Sequence, residues 1–434
     1  MKVLQVVHYF LPRHVAGTEV YTYTLSKALM SRGHRVRIYT KEDGSFDQDL
    51  AETETTYDDI PVRAVSFKRR GLRAGNLVHA FYLSISNAAI DQNFDLFLHE
   101  FRPDVVHFQH TDGLSASMIA VASRHRIPVV FTLNDYWSMC HRTQLIKPNL
   151  EICDGPGSGA KCAACIKHPM VTNRRFEQAI RMAGRLAGMY RARFMRRMLL
   201  SADLLISPSA FLRDKFIEFG IPPDNIALLD YGISVRSFET LRKRRSSRIR
   251  LGYVGTIVVH KGLHILVEAF NRLPIGKVEL LIYGDPSVAP SYYRSLKEQA
   301  RHPDITFMGP FQNDEVADVL AGIDVLVVPS IWPENSPLTI HEAFLARIPV
   351  VASRVGGIPE LVHHERTGLL FETGSVEDLR SKMEYLVTNP HMVGVYAGNI
   401  ARIKTIQENA EELEQIYERL VRKHAGYREH AVAS

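Results

Sequence analysis

The sequence predicts an α/β protein built from two doubly wound, Rossmann-like domains that face a central cleft. Three observations carry this prediction. Short β-rich runs alternate with amphipathic helical stretches through the first half, which is the grammar of a parallel sheet wrapped by helices. The same grammar restarts near residue 248, after the basic segment "LRKRRSSRIR". A length of 434 residues with 46% hydrophobic composition is more than one core usually organises.

The first domain is expected over residues 1–235. "KVLQVVHYF" reads as a buried strand, "GTEVYTYTLSKALMSRG" as a helix, and "HRVRIYT", "PDVVHFQH", "IPVVFTL" and "ADLLISPS" as further strands. His107 and His110 end the strand in "VVHFQH", with packing as their default role and sugar contact as the second. At about 138–200 the pattern lapses into a Gly- and Cys-containing loop and an arginine-rich helical stretch, which reads as an insertion. The second domain is expected over 236–405, running from "LGYVG" through "VELLIYGD" and "DVLVVPS" to "IPVVAS". Residues 406–434 read as a long polar helix able to cross back to the first domain.

The opening "MKVLQVVHYF" lacks the basic segment, apolar stretch and cleavage site of a signal peptide, and no uninterrupted apolar stretch reaches the ~18 residues of a spanning helix. A cytoplasmic protein is expected. The formal charge of +6 comes largely from arginines between Arg174 and Arg197 and between Arg242 and Arg250, which suggests anionic partners. Nucleic acid is disfavoured because these stretches lack an array of stacking aromatics. "TNRRFEQAIRMAGRLAGMYRARFMRRMLL" mixes arginine with apolar residues, as a helix resting on the inner face of a membrane requires; a surface helix packed on the first domain is the alternative.

The chemistry concentrates in "PSIWPENSPLTIHEAF", residues 329–344. Trp332, Pro333 and Pro337 forbid a regular element after the strand, so Glu334 lies on a loop beyond its carboxyl end. Ser336 and Pro337 read as a helix start, with serine as N-cap and proline at the first helical position. The amides around Leu338 then favour an anionic ligand, typically phosphate. Glu334 and Glu342 suit hydroxyl groups, since one carboxylate can accept two hydrogen bonds from a vicinal diol. A sugar and a ribose joined by a diphosphate meet all three demands. Upstream, "GYVGTIVVHKG" leads through Gly255 to Lys261 and Gly262, bringing an ammonium to phosphate oxygens; downstream, Gly356 and Gly357 allow close backbone approach to a ligand.

These segments resemble the retaining glycosyltransferases of family four, of the GT-B fold, over nearly the whole chain and most specifically from Gly252 to Phe371. The matching positions are Gly17 after the first strand, Gly255 to Gly262, Pro329-Ser330, Glu334 to Glu342 and Gly356 to Glu360. The resemblance implies that Glu342 holds the ribose, Glu334 the donor sugar's hydroxyls, and Lys261 with the amides near Ser336, Pro337 and Leu338 the diphosphate. Gly17 would approach the same diphosphate. It further implies retaining transfer without a catalytic metal, from a nucleotide sugar to a glycan or lipid-linked acceptor in bacterial polysaccharide or lipopolysaccharide assembly. Where the family often has histidine, this chain has Asn134, which can bind a sugar hydroxyl but cannot carry a proton. The reading of another class is a catalytically silent module that binds sugar nucleotides or nucleic acid.

All four cysteines fall between Cys140 and Cys165. Cys162 and Cys165 have the knuckle spacing of a zinc site, and Cys140 with Cys153 could complete a four-thiolate tetrahedron, with His141 and His168 as substitutes. Free thiols are the alternative. A zinc ion with four protein ligands would be structural.

Overall fold

The structure is a computed structural model that describes residues 1–42, 50–67, 85–165, 174–244 and 246–432. His168 lies outside the described residues. The chain divides into two compact units. Unit 1 comprises Met1–Pro148, Cys153–Gly232 and Ile406–Ser434, and unit 2 comprises Asn149–Ile152 and Ile233–Thr405.

Unit 1 is built on an eight-stranded sheet of order β3-β4-β2-β1-β5-β6-β7-β8. Its strands are β1 (Lys2–Val6), β2 (Arg35–Lys41), β3 (Leu50–Tyr57), β4 (Ile60–Phe67), β5 (Val105–Phe108), β6 (Val129–Thr132), β7 (Leu204–Ser207) and β8 (Ile226–Leu228). All pairings are parallel except β3 with β4. The sequences of β5 (VVHF) and β6 (VVFT) show why: both faces are covered, so each is buried at every position instead of alternating. The antiparallel β3 (LAETETTY) is largely polar and has no buried position, as an edge strand does.

Unit 2 has a six-stranded, all-parallel sheet of order β11-β10-β9-β12-β13-β14. These strands are β9 (Ile249–Val254), β10 (Val278–Tyr283), β11 (Ile305–Gly309), β12 (Val325–Val328), β13 (Val350–Ser353) and β14 (Gly368–Phe371). In each sheet the strand order reverses at one point, between β1 and β5 in unit 1 and between β9 and β12 in unit 2. Loops at the carboxyl ends of the strands diverge there, which is where α/β sheets bind ligands.

The terminal helix Ile406–Val432 belongs to unit 1. Its Asn409 accepts from the Tyr21 hydroxyl at 2.7 Å, and its Tyr417 hydroxyl lies 2.6 Å from His107 Nδ1. His107 is fully buried, with Nε2 2.7 Å from the Thr132 hydroxyl, and burial lowers its pKa to about 3. It is therefore a neutral core histidine, and sugar contact is excluded for it.

The arginine-rich helix Arg174–Leu199 divides in two. Ala192, Met195, Met198 and Leu199 are buried, whereas Met182, Leu186 and Met189 are exposed together with Arg181 and Arg185. No helix among the described residues is long and apolar enough to cross a membrane.

Candidate functional site

In unit 2 the switch point gathers two segments that lie far apart in sequence. After β12, the loop turns Glu334 inward until it is only 4% exposed. Its Oε1 accepts from the Ser330 hydroxyl at 2.6 Å, the Trp332 indole N–H at 2.8 Å and the Lys261 ammonium at 2.7 Å. None of these donors goes to Oε2. Lys261 arrives from β9 by way of Gly255 and a 3-10 turn, Val259–Lys261, closed by Gly262 at φ +72°. A Cβ on Gly262 would stand 1.8 Å from the Pro329 carbonyl oxygen, so only glycine lets the lysine turn lie against the end of β12. The ammonium sits 5.3 Å above the Trp332 ring and stays partly open to solvent.

Gly356 and Gly357 serve a different purpose from the ligand approach their sequence suggested. The Gly357 amide donates to the Glu334 carbonyl at 2.7 Å, and a Cβ on Gly356, at φ +61°, would stand 2.1 Å from that same oxygen. They hold the main chain of Glu334, because β13 is the next strand in the sheet and its loop packs directly on the loop after β12. Gly284, which sequence reasoning missed, plays a similar part at the end of β10: a Cβ there would lie 2.3 Å from the Gly255 carbonyl oxygen. The "YGD" following a buried strand was its signal.

The helix after the break spans Leu338–Leu345, with Pro337 as its N-cap. Ser336 is therefore not the cap, contrary to expectation: Pro337 is extended at ψ 118°, which delays the first helical turn, and the Ser336 hydroxyl lies 2.8 Å from His341 Nε2. No side chain caps this end. The first amides, including that of Leu338, receive no side-chain cap from Pro337. Glu342 lies further along the helix. It keeps some surface exposure, yet its carboxyl is packed deeply enough that burial pushes its pKa up to about 8.

Unit 1 holds Gly17, Asn134 and the cysteines. Gly17 is exposed at the start of the helix Gly17–Ser31, whose N-terminus no side chain caps. Asn134 has both ends of its amide engaged: Nδ2 donates to the Gln109 carbonyl at 2.7 Å, and Oδ1 accepts from the Tyr231 hydroxyl at 2.6 Å. The sequence had offered it to a sugar hydroxyl, but this geometry makes it a positioning residue for the loop after β6.

Beside it lies a cluster that sequence reasoning did not assemble, drawn from the carboxyl ends of β1, β5 and β6. His110 Nε2 lies 3.1 Å from Asp135, and the His8 and His110 rings are 4.1 Å apart. His8 Nε2 lies 3.5 Å from Glu19, and both His8 Nδ1 and Glu19 Oε2 are buried without a hydrogen bond. Burial, then the charge of His110, holds His8 well below the ordinary histidine range. Burial acts to lower the pKa of His110, but the Asp135 carboxylate together with Asp112 and Glu19 raises it on balance, and burial raises that of Glu19. The cluster thus offers a neutral imidazole and a carboxyl group to hydroxyls of a ligand.

Cys140, Cys153, Cys162 and Cys165 are all free thiols. His141 bonds the Cys165 carbonyl, and burial lowers its pKa to about 4. Among the described residues, the one group of three metal-ligating side chains whose atoms all lie within 4.8 Å is Asp95, His99 and His125; no three of the cysteine sulfurs come that close. His125 already bonds Asp95 at 2.7 Å, which accounts for that group without an ion.

Comparison with known proteins agrees with this geometry. Residues 16–232 match the family model described as "Glycosyl transferase 4-like domain", and residues 248–389 match "Glycosyl transferases group 1". The chain is 32% identical over 209 residues to the sulfoquinovosyl transferase SQD2 of Arabidopsis thaliana, a stretch covering 45% of this chain and 39% of that protein. It is 25% identical over 438 residues to a D-inositol 3-phosphate glycosyltransferase of Corynebacterium diphtheriae, covering 92% of this chain and 89% of the relative. Anabaena Alr3699/HepE, solved with UDP and glucose, superposes with a TM-score of 0.66 at 19% identity, covering 96% of this chain and 99% of that one. This likeness shows the GT-B fold. With one family model covering the first domain and another the second, the chain belongs to the group 1, 4-like glycosyltransferases.

Proposed function

We propose that this chain transfers a sugar from a nucleoside diphosphate sugar to an acceptor hydroxyl, with retention of configuration and without a catalytic metal. One observation carries the reading: the turn after β9 brings Lys261 to Glu334, and the loop and helix that carry Glu334 also carry an uncapped helix start at Leu338 and the buried carboxyl of Glu342. Glu342 takes the ribose diol, the amides at Leu338 and Lys261 take the diphosphate, and Glu334 offers Oε2 to the sugar while its Oε1 fixes Lys261. Gly17 is assigned to the diphosphate by its motif. As the bond from the anomeric carbon to the phosphate oxygen breaks, charge builds on the diphosphate, where the ammonium and amides stabilise it. The acceptor oxygen bonds to the anomeric carbon on the same face, and its proton passes to the departing phosphate oxygen.

Incubating the purified protein with a panel of nucleotide sugars is expected to release nucleoside diphosphate from one of them. Binding without cleavage would favour the silent binding module, and failure to bind or cleave any donor would count heavily against the transferase reading.

A bacterial polysaccharide or glycolipid acceptor, lipid-linked and met at the inner face of the cell membrane, suits the exposed Met182, Leu186 and Met189 beside Arg181 and Arg185. The protein is expected to sediment with anionic vesicles and not with neutral ones. Equal sedimentation with both, or with neither, would remove the membrane from this reading.

A further inference from the structure

The cysteine loop of unit 1 takes no part in the transfer chemistry, and its packing requires an explanation of its own. Three independent ties assemble it. The Cys140 sulfur accepts the backbone amides of Arg142 and Leu145, which fixes its place in the loop. The Cys153 amide donates to the Leu145 carbonyl at 2.7 Å, which brings the second cysteine back to the first. The 3-10 turn Ala160–Cys165, carrying the other two, docks on the helix Arg174–Leu199 through two glycines. A Cβ on Gly159 or on Gly188 would stand 2.2 Å from the carbonyl oxygen of the other, so the two backbones touch.

The decisive residue is Arg191, on that same helix. It is 4% exposed, its guanidinium donates to the Trp137 carbonyl and lies 5.3 Å over the Trp137 ring, and its Nε–H is buried with no acceptor. Among the described residues no carboxylate forms an ion pair with it. A buried cation without a counter-charge is costly, and native proteins pair such groups. Cys140, Cys162, Asp112 and Asp135 all lie within electrostatic range of it.

We propose that Cys140, Cys153, Cys162 and Cys165 bind one structural zinc ion as four thiolates, and that Arg191 is the buried counter-charge of that site. A divalent ion with four thiolates carries a net charge of −2, which a fixed guanidinium offsets; the four thiol protons go to solvent as the ion binds. Four sulfur ligands disfavour hard cations and suit tetrahedral zinc, and they leave no open position for catalysis. Because no three sulfurs lie within 4.8 Å of one another, ligation draws the 3-10 turn inward toward Cys140. The consequence reaches the ligand-facing cluster. Arg191 holds the Trp137 carbonyl, and the Trp137 amide donates to Asp135 at 2.7 Å, so the zinc loop braces the carboxylate that pairs with His110. The inference does not rest on the proposed transfer reaction.

Element analysis of the full-length protein, purified under reducing conditions without added zinc, tests it. About one equivalent of zinc is expected, with four thiols becoming titratable as a mercurial reagent releases the ion. The Cys162→Ser/Cys165→Ser variant should lose the metal, and Arg191→Gln should keep it but surrender it to a chelator at least about tenfold more readily. Zinc far below one equivalent in the wild type, or full zinc in the double variant, would overturn the site. Iron with visible absorbance in its place would overturn the assignment to zinc. If the double variant fails to fold, the release of zinc in step with four thiols in the wild type still decides the question.

Discussion

Replacing Lys261 by alanine is expected to lower kcat by about 100- to 1,000-fold, the usual effect of removing one preorganised group that stabilises developing charge. The lysine is held by three constraints that have nothing to do with substrate: the Gly262 turn against Pro329, the ion pair to Glu334 at 2.7 Å and the Trp332 ring at 5.3 Å. Its ammonium is therefore in place before the reaction begins. The loss should appear in kcat more than in the KM for acceptor, because the charge it meets is largest when the sugar–phosphate bond is breaking. The variant also leaves Glu334, 4% exposed, with two neutral donors and no cation, so a lower unfolding midpoint should accompany the kinetic loss. A kcat within threefold of wild type, measured with saturating donor, would remove Lys261 from the charge-stabilising role.

Glu342→Gln is expected to separate nucleotide binding from stability. With burial holding the carboxyl at about 8, the free protein is mostly protonated at this site at neutral pH. A ribose diol donates two hydrogen bonds and favours the carboxylate, so binding lowers this pKa and releases a proton. Nucleoside diphosphate affinity should consequently rise with pH up to about 8 and level off above it. Glutamine should weaken binding by about tenfold or more near pH 8 and flatten the profile, as isothermal titration at several pH values would reveal.

Stability runs the other way. A carboxyl whose folded-state pKa lies above its ordinary 4.5 costs nothing below that pH, and its burial cost grows as pH rises, becoming complete above about 8. The limit is about 5 kcal/mol. The variant should thus unfold at a higher temperature than wild type at pH 8 to 9, with the gain fading near pH 4. A pH-independent affinity in the wild type, together with unchanged stability of the variant, would show that this carboxyl neither meets the ribose nor bears the burial cost.

Much of the site was legible as spacing. The break at Pro333 and Pro337 placed Glu334 before a helix and Glu342 within it, and the turn through Gly255 to Gly262 marked Lys261. Other parts were not. Ser336 looked like an N-cap because serine commonly is one, but the extended ψ of Pro337 moved the helix start by one residue and turned the hydroxyl to His341. Gly356 looked like a ligand contact because a glycine pair permits close approach, and the sequence has no means of saying that the approaching group is the Glu334 carbonyl. Asn134 suggested sugar binding by its chemistry alone, whereas Gln109 and Tyr231 occupy its amide.

The sequence alone established the two α/β halves, the polar breaks after their buried strands and the residue types available at those breaks. These are local properties: side-chain periodicity, proline and glycine stereochemistry and hydrogen-bonding capacity all act within a few residues of chain. Which strand ends become neighbours was decided by the folded sheets. The parallel pairing of β9 with β12 sets Lys261 against Glu334, and the order β1-β5-β6 collects His8, His110 and Asp135 from three separate loops. The docking of one helix through Gly188 lays Arg191 beside the cysteines. Each of these contacts depends on a crossover connection and on burial shared between distant segments, which no local pattern in the chain encodes.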